Sequence, residues 1–102
     1  MGLNIVLEDE EGVKLDEVVD QKNLLHRLLP SQEDSTYNCL RFVDWYGDTT
    51  FNRLQMPLFL EEWKSLEKRA KTQDEFALLR RVEGLALRCR DEIHLYLKFY
   101  GD

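Results

Sequence analysis

The sequence predicts one α+β domain over residues 1–102: a small antiparallel or mixed sheet of about four to five strands, packed against a C-terminal helical hairpin, with one short N-terminal helix. Three observations support this prediction. Short segments with strand-like patterns occur near both ends, and two stretches with helical spacing follow Pro57. The length of 102 residues, 43% of them apolar, suits one domain with a core that needs no disulfide or metal.

The first predicted element is a β-hairpin. Residues 3–7 are apolar apart from Asn4 and include β-branched side chains, which favour a strand. The charged segment 8–12 ends in Gly12, as turns commonly do, and apolar and polar residues alternate again from Val13. A second strand is therefore expected to return beside the first.

Residues 15–29 fit two structures, because their apolar residues match both a strand followed by a helix and one continuous helix. We prefer a strand that ends near Val19 and a helix that runs from Asp20, as the N-cap, to Leu29. Pro30 should end this helix, since the residue before a proline avoids helical backbone angles.

A second hairpin is predicted around the sequence Tyr-Gly-Asp at 46–48. Residues 37–46 are rich in aromatic side chains and predict a strand. Residues 49–52 predict its partner. Both faces of this hairpin would carry large apolar side chains.

The C-terminal half predicts two helices and a final strand. Pro57 suits the first turn of a helix, and apolar residues then recur with helical spacing from Phe59. Thr72 and Glu75 have the spacing of a capping box, so a second helix should begin there. Residues 94–100 alternate between apolar and polar side chains, which is typical of a half-buried strand.

The negative charge is concentrated in the first third of the chain. The 20 acidic and 14 basic residues give a net charge of -6, and residues 1–36 alone hold nine acidic and three basic side chains. Nucleic-acid binding and docking on an anionic membrane both use basic surfaces, so neither class of function is expected. An acidic segment instead suits a basic protein partner.

Signatures of catalysis are lacking in the sequence, and no catalytic residue, metal site, cofactor or small-molecule substrate is predicted. His26 and His94 occur in no metal-binding motif. Asp44 and Asp48 flank a turn, where aspartate usually caps its own backbone rather than forming a catalytic pair.

The expected location is the cytoplasm. Cys39 and Cys89 form no C-x-x-C motif and are expected to be buried free thiols in a reducing compartment. The first residues lack the basic segment of a signal peptide, and no apolar run approaches the roughly 20 residues of a membrane span.

Two sets of residues are candidates for protein binding. Trp, Tyr and Arg are enriched at the energetic centres of interfaces, and acidic side chains speed the encounter with a basic partner. The aromatic turn supplies Trp45, Tyr46, Asp48 and Arg53, and the N-terminal turn supplies Glu8, Asp9, Glu10 and Glu11.

Residues 41–55, Arg-Phe-Val-Asp-Trp-Tyr-Gly-Asp-Thr-Thr-Phe-Asn-Arg-Leu-Gln, resemble an RFxDxYGDTxFNxLQ-like segment of small uncharacterised bacterial single-domain proteins. The sequence Leu-Lys-Phe-Tyr-Gly-Asp at 97–102 is compatible with that resemblance, which covers about a fifth of the 102 residues. The resemblance implies a bacterial origin, and it implies no activity and no catalytic residue.

The sequence predicts a non-catalytic protein-binding module, for which an immunity-type inhibitor of a bacterial toxin, or of a similar basic partner, is the nearest analogy in size and composition. The alternative is a self-associating, homodimeric structural or regulatory domain. In that case residues 94–100 would form an exposed edge strand, or the aromatic hairpin would form the interface.

Overall fold

A computed structural model describes residues 2–101, so the predicted domain boundaries at Met1 and Asp102 lie outside the described part. The predicted α+β class is confirmed: a four-stranded antiparallel sheet packs against helices. The strands are β1 (Asn4–Asp9), β2 (Lys14–Val19), β3 (Asp48–Phe51) and β4 (Leu95–Tyr100), in the order β2-β1-β4-β3. The helices are α1 (Leu25–Leu28), α2 (Met56–Ser65) and α3 (Gln73–Asp91), with 3-10 turns at Leu40–Phe42, Arg53–Gln55 and Leu66–Lys68.

The predicted N-terminal hairpin is confirmed by antiparallel pairing of β1 with β2. The turn between them depends on Asp9, whose Oδ1 accepts hydrogen bonds of 2.9 Å from the backbone N–H groups of Glu11 and Val13. Gly12 has a φ of 82°, a left-handed conformation that glycine adopts without a steric penalty. Sequence and turn geometry therefore agree here.

The strand-then-helix interpretation of residues 15–29 is confirmed, but the predicted helix from Asp20 to Leu29 is too long. The Asp20 carboxylate does accept backbone hydrogen bonds at a helix start, from Leu24 and Leu25 at 2.8 Å. Asn23 has a left-handed φ of 55°, so a helix cannot run continuously from Asp20 through this residue. Only the single turn α1 remains, and the chain is extended again at Leu29.

The predicted strand over residues 37–46 is wrong, and so is the hairpin around Gly47. The segment is irregular apart from its 3-10 turn, and the buried carboxylate of Glu62 accepts three of its backbone N–H groups, which a strand would donate to a neighbouring strand. Glu62 Oε1 lies 3.0 Å from the nitrogens of Cys39 and Leu40, and Oε2 accepts from Asn38. These donors are thus directed at α2 and not at a neighbouring strand.

The position of β4 within the sheet also differs from the prediction. The alternating pattern of residues 94–100 is confirmed, with Leu95, Leu97 and Phe99 buried. However, β4 pairs with both β1 and β3, so it is an inner strand and not an edge. Strands β2 and β3 form the edges of the sheet within the described chain.

Helices α2 and α3 begin as the sequence predicts. Pro57 lies in the first turn of α2, and Thr72 and Glu75 form the expected capping box before α3. The predicted helical hairpin is only approximate, since the ten residues of α2 continue into a 3-10 turn before the nineteen residues of α3. Trp63 joins the two helices by donating from Nε1 to the Leu79 carbonyl at 2.8 Å.

Candidate protein-binding surfaces

Glu8 differs from the other acidic residues of the N-terminal turn because its carboxylate is buried and already paired. Lys98 Nζ lies 3.0 Å from Glu8 Oε1, and the Tyr100 hydroxyl donates to Oε2. Burial acts to raise the pKa of Glu8, but the hydrogen bonds from Tyr100 and Lys98 outweigh it, so the net pKa is lowered. Glu8 therefore holds β1 to β4 and is a poor candidate for attracting a partner.

The remaining acidic residues lie at the tip of the β1–β2 hairpin, where Asp9 is partly buried and stabilises the turn. Glu10 and Glu11 are exposed. Glu10 Oε2 lies 3.2 Å from Nδ1 of His94, which itself is exposed in the link between α3 and β4. The tip thus presents two solvated carboxylates on a turn that is held in one conformation.

The eight predicted binding residues do not form one surface, because they lie at two ends of the sheet. Asp48 pairs with Tyr100, which in turn pairs with Asn4 at the start of β1. Strand β3 then runs in the same direction as β1, so Arg53 follows it toward the other end, where Glu10 lies. With about 3.4 Å per residue, the six residues of β1 separate these ends by roughly 17 Å.

Trp45, Tyr46 and Asp48 lie together at the first end, which we call the aromatic end. The Trp45 ring is half-buried and meets His26 edge-on, with ring centroids 5.8 Å apart. Tyr46 is 85% exposed. A Cβ atom at position 101 would overlap the Trp45 carbonyl, so Gly101 permits the close approach of this loop to the chain after β4.

At the other end, which we call the acidic end, a shallow groove of about 320 Å³ lies beside the hairpin tip. Residues 52–54 form one wall, and residues 93–96, which lead from the end of α3 into β4, form the other. Leu54 and Ile93 line this groove and are 81% and 67% exposed. Of the predicted residues, Arg53 lines it, and Glu10 reaches it through His94.

Sequence reasoning missed Leu54 and Ile93. The available signal was an apolar side chain inside a tight turn, where polar residues are more usual. Asn52 and Gln55 form a capping box around Leu54, with bonds of 3.1 Å and 2.8 Å, and the Leu54 side chain on this turn faces solvent.

The sheet face opposite the core is polar and contains charges that neutralise one another. Besides the pair of Glu8 and Lys98, Lys14 Nζ lies 3.0 Å from Glu17 Oε1. The Glu8 carboxylate, by accepting from Tyr100, also raises the pKa of that phenol. This face consequently offers fewer free charges to a partner than the acidic end does.

Among residues 2–101, no set of three or more His, Cys, Asp or Glu side chains is placed to hold a metal ion. No helix of that same range is both long and apolar enough to cross a membrane. Cys39 and Cys89 are free and buried, which confirms that part of the prediction, and burial raises the pKa of the Cys89 thiol to about 11.

Comparison with protein families, curated proteins and solved structures finds no match to this chain. The resemblance of residues 41–55 to bacterial proteins therefore stays a prediction from the sequence.

Proposed function

We propose that this chain is a non-catalytic, cytoplasmic protein-binding module of bacterial origin that docks on a basic protein, as an immunity-type inhibitor docks on a bacterial toxin. The observation that supports this proposal is the exposure of Glu10 and Glu11 at the tip of a well-formed hairpin, directly beside exposed apolar side chains. The proposal needs no catalytic residue, cofactor or small-molecule substrate.

Only some of the carboxylates in the first third of the chain are free to attract a partner. Glu8 is paired with Lys98, and Asp20 is buried at the start of α1, so these two contribute little to the field outside the molecule. Glu10 and Glu11 project into solvent, where they attract a cationic surface at distances of about one Debye length, roughly 8–10 Å. Attraction of this kind mainly raises the association rate.

The hairpin also meets the requirement for a defined contact surface. Strand β1 is an inner strand, paired along its whole length with β4, and the Asp9 side chain fixes the turn. A surface that is ordered before binding loses little conformational entropy in the complex.

The experiment compares the wild-type protein with a Glu10→Lys/Glu11→Lys variant in capture from a bacterial lysate. The matched control is Glu33→Lys, which changes an exposed carboxylate in a loop outside the hairpin. Basic proteins retained by the wild type and the control but lost by the double variant are then purified, and association rates are measured at about 50 mM and about 300 mM NaCl.

We expect the association rate to fall at least tenfold at the higher salt concentration, and to fall in the double variant but not in Glu33→Lys. Retention of the same basic proteins by all three forms would contradict the proposal. An association rate that does not respond to salt would contradict it as well.

A homodimer is the second candidate, and one observation favours it: β2 is an edge strand with exposed Val13, Leu15 and Val19 beside or within it. The two interfaces that the sequence suggested lose support. Residues 94–100 belong to β4, which is an inner strand, and the hairpin around residues 46–48 does not form. The charged side chains of β2 also resemble those that protect natural edge strands from pairing. Sedimentation of a single 12.2 kDa species at concentrations of tens of micromolar would exclude this candidate.

A further inference from the structure

We infer that the groove at the acidic end seats an aliphatic side chain of the basic partner, with cationic residues beside it pairing with Glu10 and Glu11. This inference rests on the proposed function and extends it by naming the contact that holds the partner after encounter. The occupant is a basic segment in which a leucine-like side chain is flanked by lysine or arginine.

Leu54 and Ile93 are both large aliphatic side chains that face solvent. At 81% and 67% exposure they contribute little to the core, whereas most large aliphatic residues of the described chain are buried in it. Two exposed aliphatic side chains on the walls of one groove form an apolar contact site that a partner can cover.

Both side chains are presented by ordered backbone. The capping box of Asn52 and Gln55 holds the turn that carries Leu54. Ile93 stands between the end of α3 and His94, and His94 has a left-handed φ of 63°, which is uncommon for a residue other than glycine. Because the backbone is constrained on both sides, the walls of the groove are already in position before a partner binds.

The charge on the Glu10 side of the groove also complements a basic partner. Glu10 contacts His94, a residue of the groove, so a cation that binds Glu10 lies within one side chain of the apolar walls. Arg53 is the opposing charge on the same groove, and a guanidinium can donate to the backbone carbonyls of an extended partner segment. The surroundings therefore favour an apolar side chain with a cation beside it on the Glu10 side of the groove, whereas the wall that carries Arg53 suits the backbone of the partner.

The size of the groove suits a side chain of a protein partner. A volume of about 320 Å³ is at the lower limit for sites that enclose a whole small molecule, which run from about 300 to 1,000 Å³. The groove is also shallow, with two aliphatic side chains largely exposed to water. One or two side chains of a protein segment fit these dimensions better than a metabolite does.

The test uses four synthetic hexapeptides with blocked ends, added to the ¹⁵N-labelled full chain and followed by NMR. Their sequences are Lys-Lys-Leu-Leu-Lys-Lys, Lys-Lys-Ser-Ser-Lys-Lys, Ser-Ser-Leu-Leu-Ser-Ser and Glu-Glu-Leu-Leu-Glu-Glu. We expect the first peptide to shift the amide signals of residues 10–11, 52–54 and 93–96, and to bind at least tenfold more tightly than the other three.

The variants are Leu54→Ser/Ile93→Ser and, as a matched control, Leu58→Ser, which removes an aliphatic side chain that is 40% exposed on α2. All three positions are exposed, so we expect the fold to persist, and an unchanged spectrum outside the groove verifies it. We expect the double variant to weaken binding of Lys-Lys-Leu-Leu-Lys-Lys about tenfold, and the control to leave it unchanged.

Three results would contradict different parts of the proposal. If the double variant binds this peptide as well as the wild type does, and the signals of residues 10–11 still shift, the groove inference is wrong and docking on Glu10 and Glu11 is retained. If the shifts fall at the aromatic end, both the groove inference and docking through Glu10 and Glu11 are wrong. If Ser-Ser-Leu-Leu-Ser-Ser binds the groove as tightly as Lys-Lys-Leu-Leu-Lys-Lys, the groove is retained and the preference for a basic partner is wrong.

Discussion

Lys98 Nζ lies 3.0 Å from Glu8 Oε1, and this ion pair links two inner strands on the polar face of the sheet. The pair explains why the acidic run of the N-terminal turn cannot be treated as one uniform patch. Its first carboxylate stabilises the fold, its second fixes a turn, and only Glu10 and Glu11 face solvent. Each of these roles predicts a different effect of mutation.

Glu8→Gln should lower the free energy of unfolding by about 1 kcal/mol, because the ionic part of a largely buried hydrogen-bonded pair is lost while Lys98 can still reach water. Chemical denaturation measures this change. The matched control is Glu10→Gln, whose exposed pair with His94 should change stability by less than about 0.5 kcal/mol. Equal losses in the two variants would contradict the assignment of a structural role to Glu8.

Glu62→Ala should destabilise the protein by roughly 3 kcal/mol, because the backbone N–H groups of residues 38–40 lose their common acceptor and two of them are buried. Amide hydrogen exchange should become faster over these residues before it changes in the sheet. Glu61→Ala removes an exposed carboxylate from the same helix and should cost less than about 0.5 kcal/mol. Unchanged exchange at residues 38–40 would contradict the proposed role.

Glu75 should make the protein sensitive to acid. The hydrogen bond from Arg27, followed by that from the Lys71 backbone, lowers the pKa of Glu75 from 4.5 to about 2. A depressed pKa contributes stability above the pKa of the unfolded chain, and this stability is lost as the pH falls from about 4.5 toward 2. Glu75→Gln should therefore be less stable than the wild type at neutral pH, and this difference should shrink as the pH falls from about 4.5 toward 2.

Thermal unfolding measured from pH 7 to pH 2 tests this expectation, and Glu83→Gln on the same helix is the control. The curve for Glu83→Gln should parallel that of the wild type. A constant gap between Glu75→Gln and the wild type across this pH range would show that the charge of Glu75 is not responsible.

Cys39 and Cys89 should resist thiol reagents in the native protein. Burial, together with the nearby Glu62 carboxylate, raises the pKa of Cys39, and burial raises that of Cys89 to about 11. The thiolate is the reactive form, so a colorimetric disulfide reagent at about pH 8 should label neither residue quickly. Both should react within minutes in guanidinium chloride, and rapid labelling without denaturant would contradict their burial.

Local sequence patterns predicted the parts of the fold that local interactions determine. The capping box of Thr72 and Glu75 satisfies backbone donors within four residues, and alternation in residues 94–100 directly reports which side chains face the core. The N-terminal hairpin is equally local, since its turn is stabilised by Asp9 and Gly12. Such features can be predicted because the partner groups are adjacent in sequence.

The errors arose where the deciding partner is distant. Residues 37–46 have the aromatic content of a strand, but the backbone donors of residues 38–40 are satisfied by Glu62, more than twenty residues later. The pairing of β4 with both β1 and β3 likewise depends on strand order, which alternation cannot report. Strand order also decides how the predicted binding residues are distributed. Because β3 runs in the same direction as β1, Arg53 lies at the end of the sheet that carries Glu10, and Asp48 lies at the other end.

The inner position of β4 has a consequence for how the chain is made. Strands β1 and β3 meet only through β4, so the sheet cannot close until residues up to Tyr100 have left the ribosome. The N-terminal hairpin can form early, but one side of β1 then remains open during synthesis of everything between Val19 and Leu95. An unpaired apolar strand is a template for wrong pairing. Closure of the sheet therefore follows the synthesis of all three helices, and premature termination before β4 would release a fragment in which β1 has an unpaired edge.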